Sequence, residues 1–230
     1  MTCLDRPKAC TAAEAITSRR SVRAFLPEPV PRETVRRILD IAARAPSGSN
    51  IQPWHVEVVT GPALDRLTRA ITDRFDAGDA GEESYQYYPS PWREPYLARR
   101  RDTGWGLYSA LGIARGDTAR MRAQHRRNFL FFDAPVGLVF SIDRDLPVGS
   151  WLDTGMFLQS IMVAARGFGL DTCPQQAFAA YHQTIRDVLG LPDDRTVICG
   201  MALGWADRSD PANGFETGRL AVEEFARFHD

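Results

Sequence analysis

The side chains best suited to hold a ligand gather near the start of the chain. Arg19-Arg20-Ser21-Val22-Arg23 sets three guanidiniums around one hydroxyl. A guanidinium is a planar fork that makes paired bonds to phosphate, which the point charge of lysine does not. Further on, Pro46-Ser47-Gly48-Ser49-Asn50-Ile51-Gln52-Pro53-Trp54 is rich in small and hydrogen-bonding residues. A cationic, hydroxyl-bearing cluster tied by a short helix to a polar turn suits a phosphorylated, polyhydroxylated ligand. Residue types alone leave plainer readings open. The arginines also suit a solvated basic turn, and the second segment a simple helix-to-strand connection with Trp54 in the core.

Two further pieces lie far along the chain. Gly169-Leu170-Asp171-Thr172-Cys173-Pro174-Gln175-Gln176-Ala177-Phe178 follows the strongest helical pattern in the sequence. Its Cys173 has no histidine or cation beside it in sequence, which suits a buried structural thiol better than a nucleophile. Arg219 precedes an apolar-acidic segment, residues 220–224, and by itself reads as a surface charge.

RRSVRAF (residues 19–25) and APSGSNIQPWH (residues 45–55) resemble the two N-terminal motifs of the FMN-dependent nitroreductase family. The likeness runs from about residue 14 to about residue 225 and leans towards the nitrobenzoate-reductase-like and NADH-oxidase-like members. It implies an α+β, three-layer fold with a central, mostly antiparallel sheet flanked by helices. It implies FMN as cofactor, with Arg19, Arg20, Ser21 and Arg23 on its phosphate, ribityl chain and ring edge, and Arg219 as a last cation on the phosphate. A turn matched by Pro174, Gln176 and Ala177 would lie along the ring, with a backbone N–H reaching N5. Many relatives carry Glu and Gly where Gln176 and Ala177 stand, a change that a backbone contact survives. The positions of Pro46, Ser47, Gly48 and Asn50 approach a flavin held mainly by the other subunit, so a homodimer with two shared sites is implied. The implied reaction moves hydride from NADH or NADPH through flavin N5 to a nitroaromatic or another electron-poor acceptor. Ene reduction, dehalogenation, dehydrogenation and flavin fragmentation are the alternatives on the same scaffold.

These pieces need elements to hold them. After residues 1–12, expected to be a flexible leader, a first helix is expected over 13–18. Pro27, Pro29 and Pro31 force an extended link. Val35, Ile38, Leu39 and Ala42 recur at helical spacing, and Pro46 and Gly48 end that helix. Residues 55–60 alternate as a strand does, and a helix follows Gly61-Pro62. Further helices are expected over 117–129, 151–166 and 181–189, and strands over 136–142, 170–175 and 196–203. Helices interleaved with few apolar strands give one α+β domain, residues 13–230.

Residues 78–116 read as a long, irregular, aromatic insertion of lid type. Its stretch 85–108 is expected to shape the acceptor pocket, with Tyr96, Arg99, Trp105 and Tyr108 as candidate contacts. Arg99-Arg100-Arg101 beside Tyr96 and Trp105 suit the carboxylate of a nitrobenzoate, or simply a solvated charge run.

Composition narrows the class. The 230 residues are 44% hydrophobic and carry a net charge of −1, which argues against a protein that coats nucleic acid. A nucleic-acid module built on Arg99–Arg101 and His125-Arg126-Arg127 is the remaining non-enzymatic alternative. The four cysteines form no CxxC pair, so structural zinc is not expected. No apolar run reaches the roughly 18–20 residues that cross a bilayer, and no secretory h-region opens the chain. A cytoplasmic protein is expected.

Overall fold

The computed structural model describes residues 8–229. Four antiparallel strands form one sheet in the order β1-β2-β4-β3: β1 is His55–Thr60, β2 Val136–Asp143, β3 Asp171–Gln175 and β4 Arg195–Gly204. The central strands β2 and β4 are buried almost throughout, because helices cover both faces of the sheet. On one face Leu67, Ile71 and Phe75 of helix α3 (Gly61–Asp76) and Ile185 of α7 (His182–Leu189) pack with Val139, Val197 and Ala202. On the other, Val35 and Ile38 of α2 (Arg32–Ala42) and Phe157, Ile161 and Ala165 of α6 (Val148–Gly167) pack with Leu138, Phe140 and Met201. The three-layer, antiparallel arrangement is the one the family resemblance implies.

The alternation breaks once. In β4, Val197 faces the first layer, but Ile198 and Cys199 both join the second. Phe140 pairs with Cys199 and Ser141 with Val197, so Ile198 is a β-bulge with no partner in β2.

Residues 1–7 of the expected leader lie outside the described residues. From Ala9 the chain is attached, its N–H donating to the Arg166 carbonyl at 3.1 Å. Thr11 and Glu14 then form a capping box that starts α1 (Ala12–Ser18). The expectation of an irregular insertion needs correction: it contains a regular helix, α4 (Tyr96–Ala110). None of its residues is buried, so it leaves no apolar stripe to read. Helix α5 (Thr118–Arg126) follows and gives way to a 3-10 turn at Arg127–Asp133, earlier than the expected end at 129.

Candidate active site

A buried ion pair fixes the base of the arginine cluster. Arg166 of α6 meets Asp171 at 2.9 Å and donates to the Leu170 carbonyl at 3.1 Å and to Ser18 Oγ at 3.2 Å. Burial raises the Asp171 carboxyl above its ordinary range, against the pull of Arg166. The pair ties the end of α6, the start of β3 and the residue before Arg19 together. The following segment then runs along β3: Ser21 forms a parallel bridge with Thr172, and the Val22 N–H donates to the Thr172 carbonyl at 3.1 Å.

The C-terminal segment is fastened to the same place by Asn213. Its Oδ1 accepts the Arg23 N–H at 2.7 Å, and its Nδ2 donates to the carbonyls of Ala24 and Asp207 at 2.9 and 2.7 Å. Arg20 pairs with Glu216. The result brings guanidiniums together from opposite ends of the chain. Half-buried Arg19 loses some of its proton affinity to burial and then to the charge of Arg219. Among the described residues neither has a carboxylate partner; Arg219 donates only to Thr217 and Gly218 nearby. Arg23 donates to the Ser21 carbonyl at 3.1 Å and, like Arg19, acts on Cys173. Burial nevertheless pushes that thiol up to about 11, so it stays protonated and structural. Uncompensated like charges beside backbone polar groups form a pocket that an anion would relieve.

Past Cys173 the chain enters the turn with Pro174, Gln176 and Ala177, which borders a cavity of about 530 Å³. Tyr85, Tyr87 and Tyr88 from the insertion, His125 of α5 and Trp151 of α6 line its other sides. The turn is held firmly. Gln175 Nε2 donates to the Asn128 carbonyl at 2.7 Å, and the Phe178 ring stacks on Phe131 with centroids 4.3 Å apart. Phe178 also lies over Gly200, where a Cβ would come within 2.6 Å of the ring. Tyr85 stands edge-on to Trp151, and its hydroxyl lies 2.8 Å from Gln176 Oε1 and hydrogen-bonds the Ile198 carbonyl. Burial raises the Tyr85 phenol, so it keeps its proton. Burial and the charge of Arg122 lower His125, which favours the neutral imidazole.

The turn of Pro46, Ser47, Gly48 and Asn50 sits on α6. The Gly48 N–H donates to buried Asp153 at 3.1 Å, and Ser47 Oγ accepts the Gln52 N–H at 3.0 Å. Ser49, Asn50 and Gln52 all take positive φ, a concentration of strained backbone typical of ligand sites. This turn does not line the Gln176 cavity.

Tyr96, Arg99, Trp105 and Tyr108 lie on α4, also outside that lining. Arg93 and Arg99 lie over the Tyr96 ring at 4.9 and 5.8 Å, and Arg115 over Trp105 at 4.9 Å. The pocket tyrosines belong to the stretch expected to shape the pocket; Trp151, and His125, which the sequence offers only as part of a basic run, join them in the lining. The other basic run is largely neutralised: Arg126 pairs with Asp76 at 2.8 Å and Arg127 with Asp133 at 2.9 Å. A larger hollow, about 1050 Å³, lies between α2, the edge strand β1 and α3. It shares no lining residue with the Gln176 cavity and contains none of the clustered arginines. Among the described residues no group of three or more His, Cys, Asp or Glu is disposed to hold a metal, and no helix is long and apolar enough to cross a membrane.

The sequence pattern of the Nitroreductase family matches residues 16–205. The chain is 44% identical over 216 residues to a chloronitrobenzene nitroreductase of Comamonas testosteroni, covering 94% of this chain and 95% of that one. It is 45% identical, with the same coverage, to a nitrobenzene nitroreductase of Ectopseudomonas oleovorans. Among solved structures, the FMN and NADPH-dependent nitroreductase NfnB from sphigopyxis sp. strain HMH superposes with a TM-score of 0.93 at 40% identity, over 96% of this chain and 99% of that one.

Proposed function

The chain belongs to the nitroreductase family, and on that premise we propose that it is an FMN-dependent oxidoreductase passing hydride from NADH or NADPH to nitroaromatic or related electron-poor acceptors. One observation carries the cofactor assignment: Arg20–Glu216 and Arg23–Asn213 join the two ends of the chain, so that Arg219 acts on Arg19, 200 positions away, and among the described residues neither has a carboxylate partner. That vacant electrostatic balance fits a mononucleotide phosphate. Bound FMN supplies the redox chemistry, two electrons exchanged at N5. The protein's own part is to bind, orient and shield. Arg19, Arg20, Arg23 and Arg219 hold the phosphate end, with Ser21 offering a hydroxyl to the polyol. Pro174, Gln176 and Ala177 border the ring. The aromatic walls of the cavity form a slot for flat molecules and keep bulk water from the reacting face. Tyr85 keeps its phenolic proton, so it acts as a hydrogen-bonding wall and not as an acid.

The turn at Pro46, Ser47, Gly48 and Asn50 belongs, on this reading, to the site of a second subunit. Exposed Ile41, Ile51, Val148 and Leu152 lie on the neighbouring elements α2, this turn and α6, as an apolar dimer face requires. The rim of α4 then offers Tyr96, Arg99, Trp105 and Tyr108 to the acceptor; loss of Arg99 should harm reduction of nitrobenzoate more than of nitrobenzene. Titration of FMN into the purified protein tests the reading: saturation at one FMN per chain with a perturbed visible spectrum supports it. A protein that stays colourless in excess FMN refutes it.

A further inference from the structure

The contacts of Tyr85 contain a conflict that only one arrangement of protons resolves. Its hydroxyl touches two oxygen positions, the Ile198 carbonyl and, at 2.8 Å, Oε1 of Gln176. A phenol has one O–H to give. The Ile198 carbonyl is fixed in the backbone, at the bulge where β4 has no partner in β2, and β3 ends opposite Gly200. It cannot change its character. The Gln176 carboxamide can, because its oxygen and nitrogen exchange places by a half-turn of the side chain. With that turn both contacts become hydrogen bonds: Tyr85 donates to Ile198, and Gln176 Nε2 donates to the Tyr85 oxygen. The contact with Tyr85 is the only protein hydrogen bond of the Gln176 carboxamide among the described residues, and the half-buried side chain lines the cavity, so its other terminal atom is left to the cavity. That atom is then the oxygen.

We propose that Tyr85, anchored on the bulge carbonyl, positions Gln176 so that the cavity meets a hydrogen-bond acceptor, and that the site therefore selects ligands bearing an amide N–H, the nicotinamide carboxamide in particular. This rests on the reading that the cavity admits the nicotinamide of NADH or NADPH. A nitro group has only acceptor oxygens and gains nothing from Gln176. The donor substrate and the acceptor substrate are thus told apart by one carboxamide, although both are flat and similar in size. Tyr85 is a positioning residue here, since it acts through Gln176.

The test compares nicotinamide with methyl nicotinate, which keeps the ring and carbonyl but has no N–H. Binding to the FMN-loaded protein is read from the shift of the flavin band, without turnover. The wild type should prefer nicotinamide by about three- to tenfold, the worth of one neutral hydrogen bond. Tyr85→Phe frees the carboxamide to turn, and the preference should fall towards one. Gln176→Met should abolish it, and the double variant should match Gln176→Met alone. If Tyr85 merely supports the fold, Tyr85→Phe weakens both ligands equally and leaves the ratio intact; that result, or a wild-type ratio of one, overturns the proposal. Failure to take up FMN refutes the proposed function instead. In FMN-free protein the Gln176 side-chain amide, followed by NMR, should exchange slowly with water in the wild type and fast in Tyr85→Phe. Equal exchange in the two overturns the orientation itself.

Discussion

Replacing Arg219 by glutamine should have opposite effects on the FMN-free and FMN-bound protein. Without ligand, Arg219 depresses the proton affinity of half-buried Arg19, a mark of like charges forced together. Removing one of them relieves that repulsion, so thermal stability should hold or rise. With FMN the sign reverses. A hydrogen bond to a charged group contributes about 1.5–3 kcal/mol. Arg219 is exposed, and solvent and salt screen it, so the lower end applies. About 1.5 kcal/mol is about a tenfold rise in Kd. Arg19 is better shielded, and Arg19→Gln should cost nearer 3 kcal/mol, on the order of a hundredfold. Riboflavin lacks the phosphate, so its binding should be unchanged by Arg219→Gln. Quenching of flavin fluorescence gives both affinities, and thermal unfolding of the FMN-free protein gives the stability. Equal losses for FMN and riboflavin, or a destabilised FMN-free variant, would show that Arg219 is a structural residue and refute the phosphate assignment.

Three other outcomes follow from local geometry. Gly200→Ala puts a Cβ 2.6 Å from the Phe178 ring, so overpacking should cost about 1–3 kcal/mol in urea denaturation and displace the Gln176 turn; an unchanged midpoint contradicts this. Because His125 sits below its reference value of 6.5, the unfolded chain binds the proton first, so the stabilisation is complete above about pH 6.5 and lost as pH falls through the folded value. The decline in urea midpoint between pH 7 and 5 should be shallower in His125→Phe, which keeps the contacts with Phe75 and Phe129, but should not vanish, since His182 is lowered too. Cys173 and Cys199, whose thiols burial raises to about 11 and about 12, should resist thiol reagents at pH 8 until the protein unfolds, while exposed Cys10 reacts at once, as peptide mapping will show.

Much of the scaffold was legible because burial leaves a periodic trace. The stripe of Val35, Ile38 and Ala42 marks α2, and the valine-rich alternation at 55–60 marks β1 with its observed bounds. Helix α4 left no trace: none of its residues is buried, and its half-buried side includes Gly104 and Gly106, so no apolar stripe marks it. The arginine cluster could be named from residue type, and the family motif joined Arg219 to it across the chain. The cavity could be placed only in part. Tyr85 meets Gln176 across 91 positions, and His125 enters through packing on Phe75 and Phe129, contacts that the fold creates and no local pattern encodes. The bulge at Ile198 is equally silent, since valine, isoleucine and cysteine in succession suit any buried strand.

If one site serves electron donor and electron acceptor in turn, FMN must relay the electrons from the first to the second. An anaerobic titration tests it directly. One equivalent of NADPH or NADH should bleach the visible flavin band of the FMN-loaded protein, and nitrobenzene added afterwards, still without oxygen, should restore it. A band that neither nucleotide bleaches, or that returns only on admission of air, would contradict the claim.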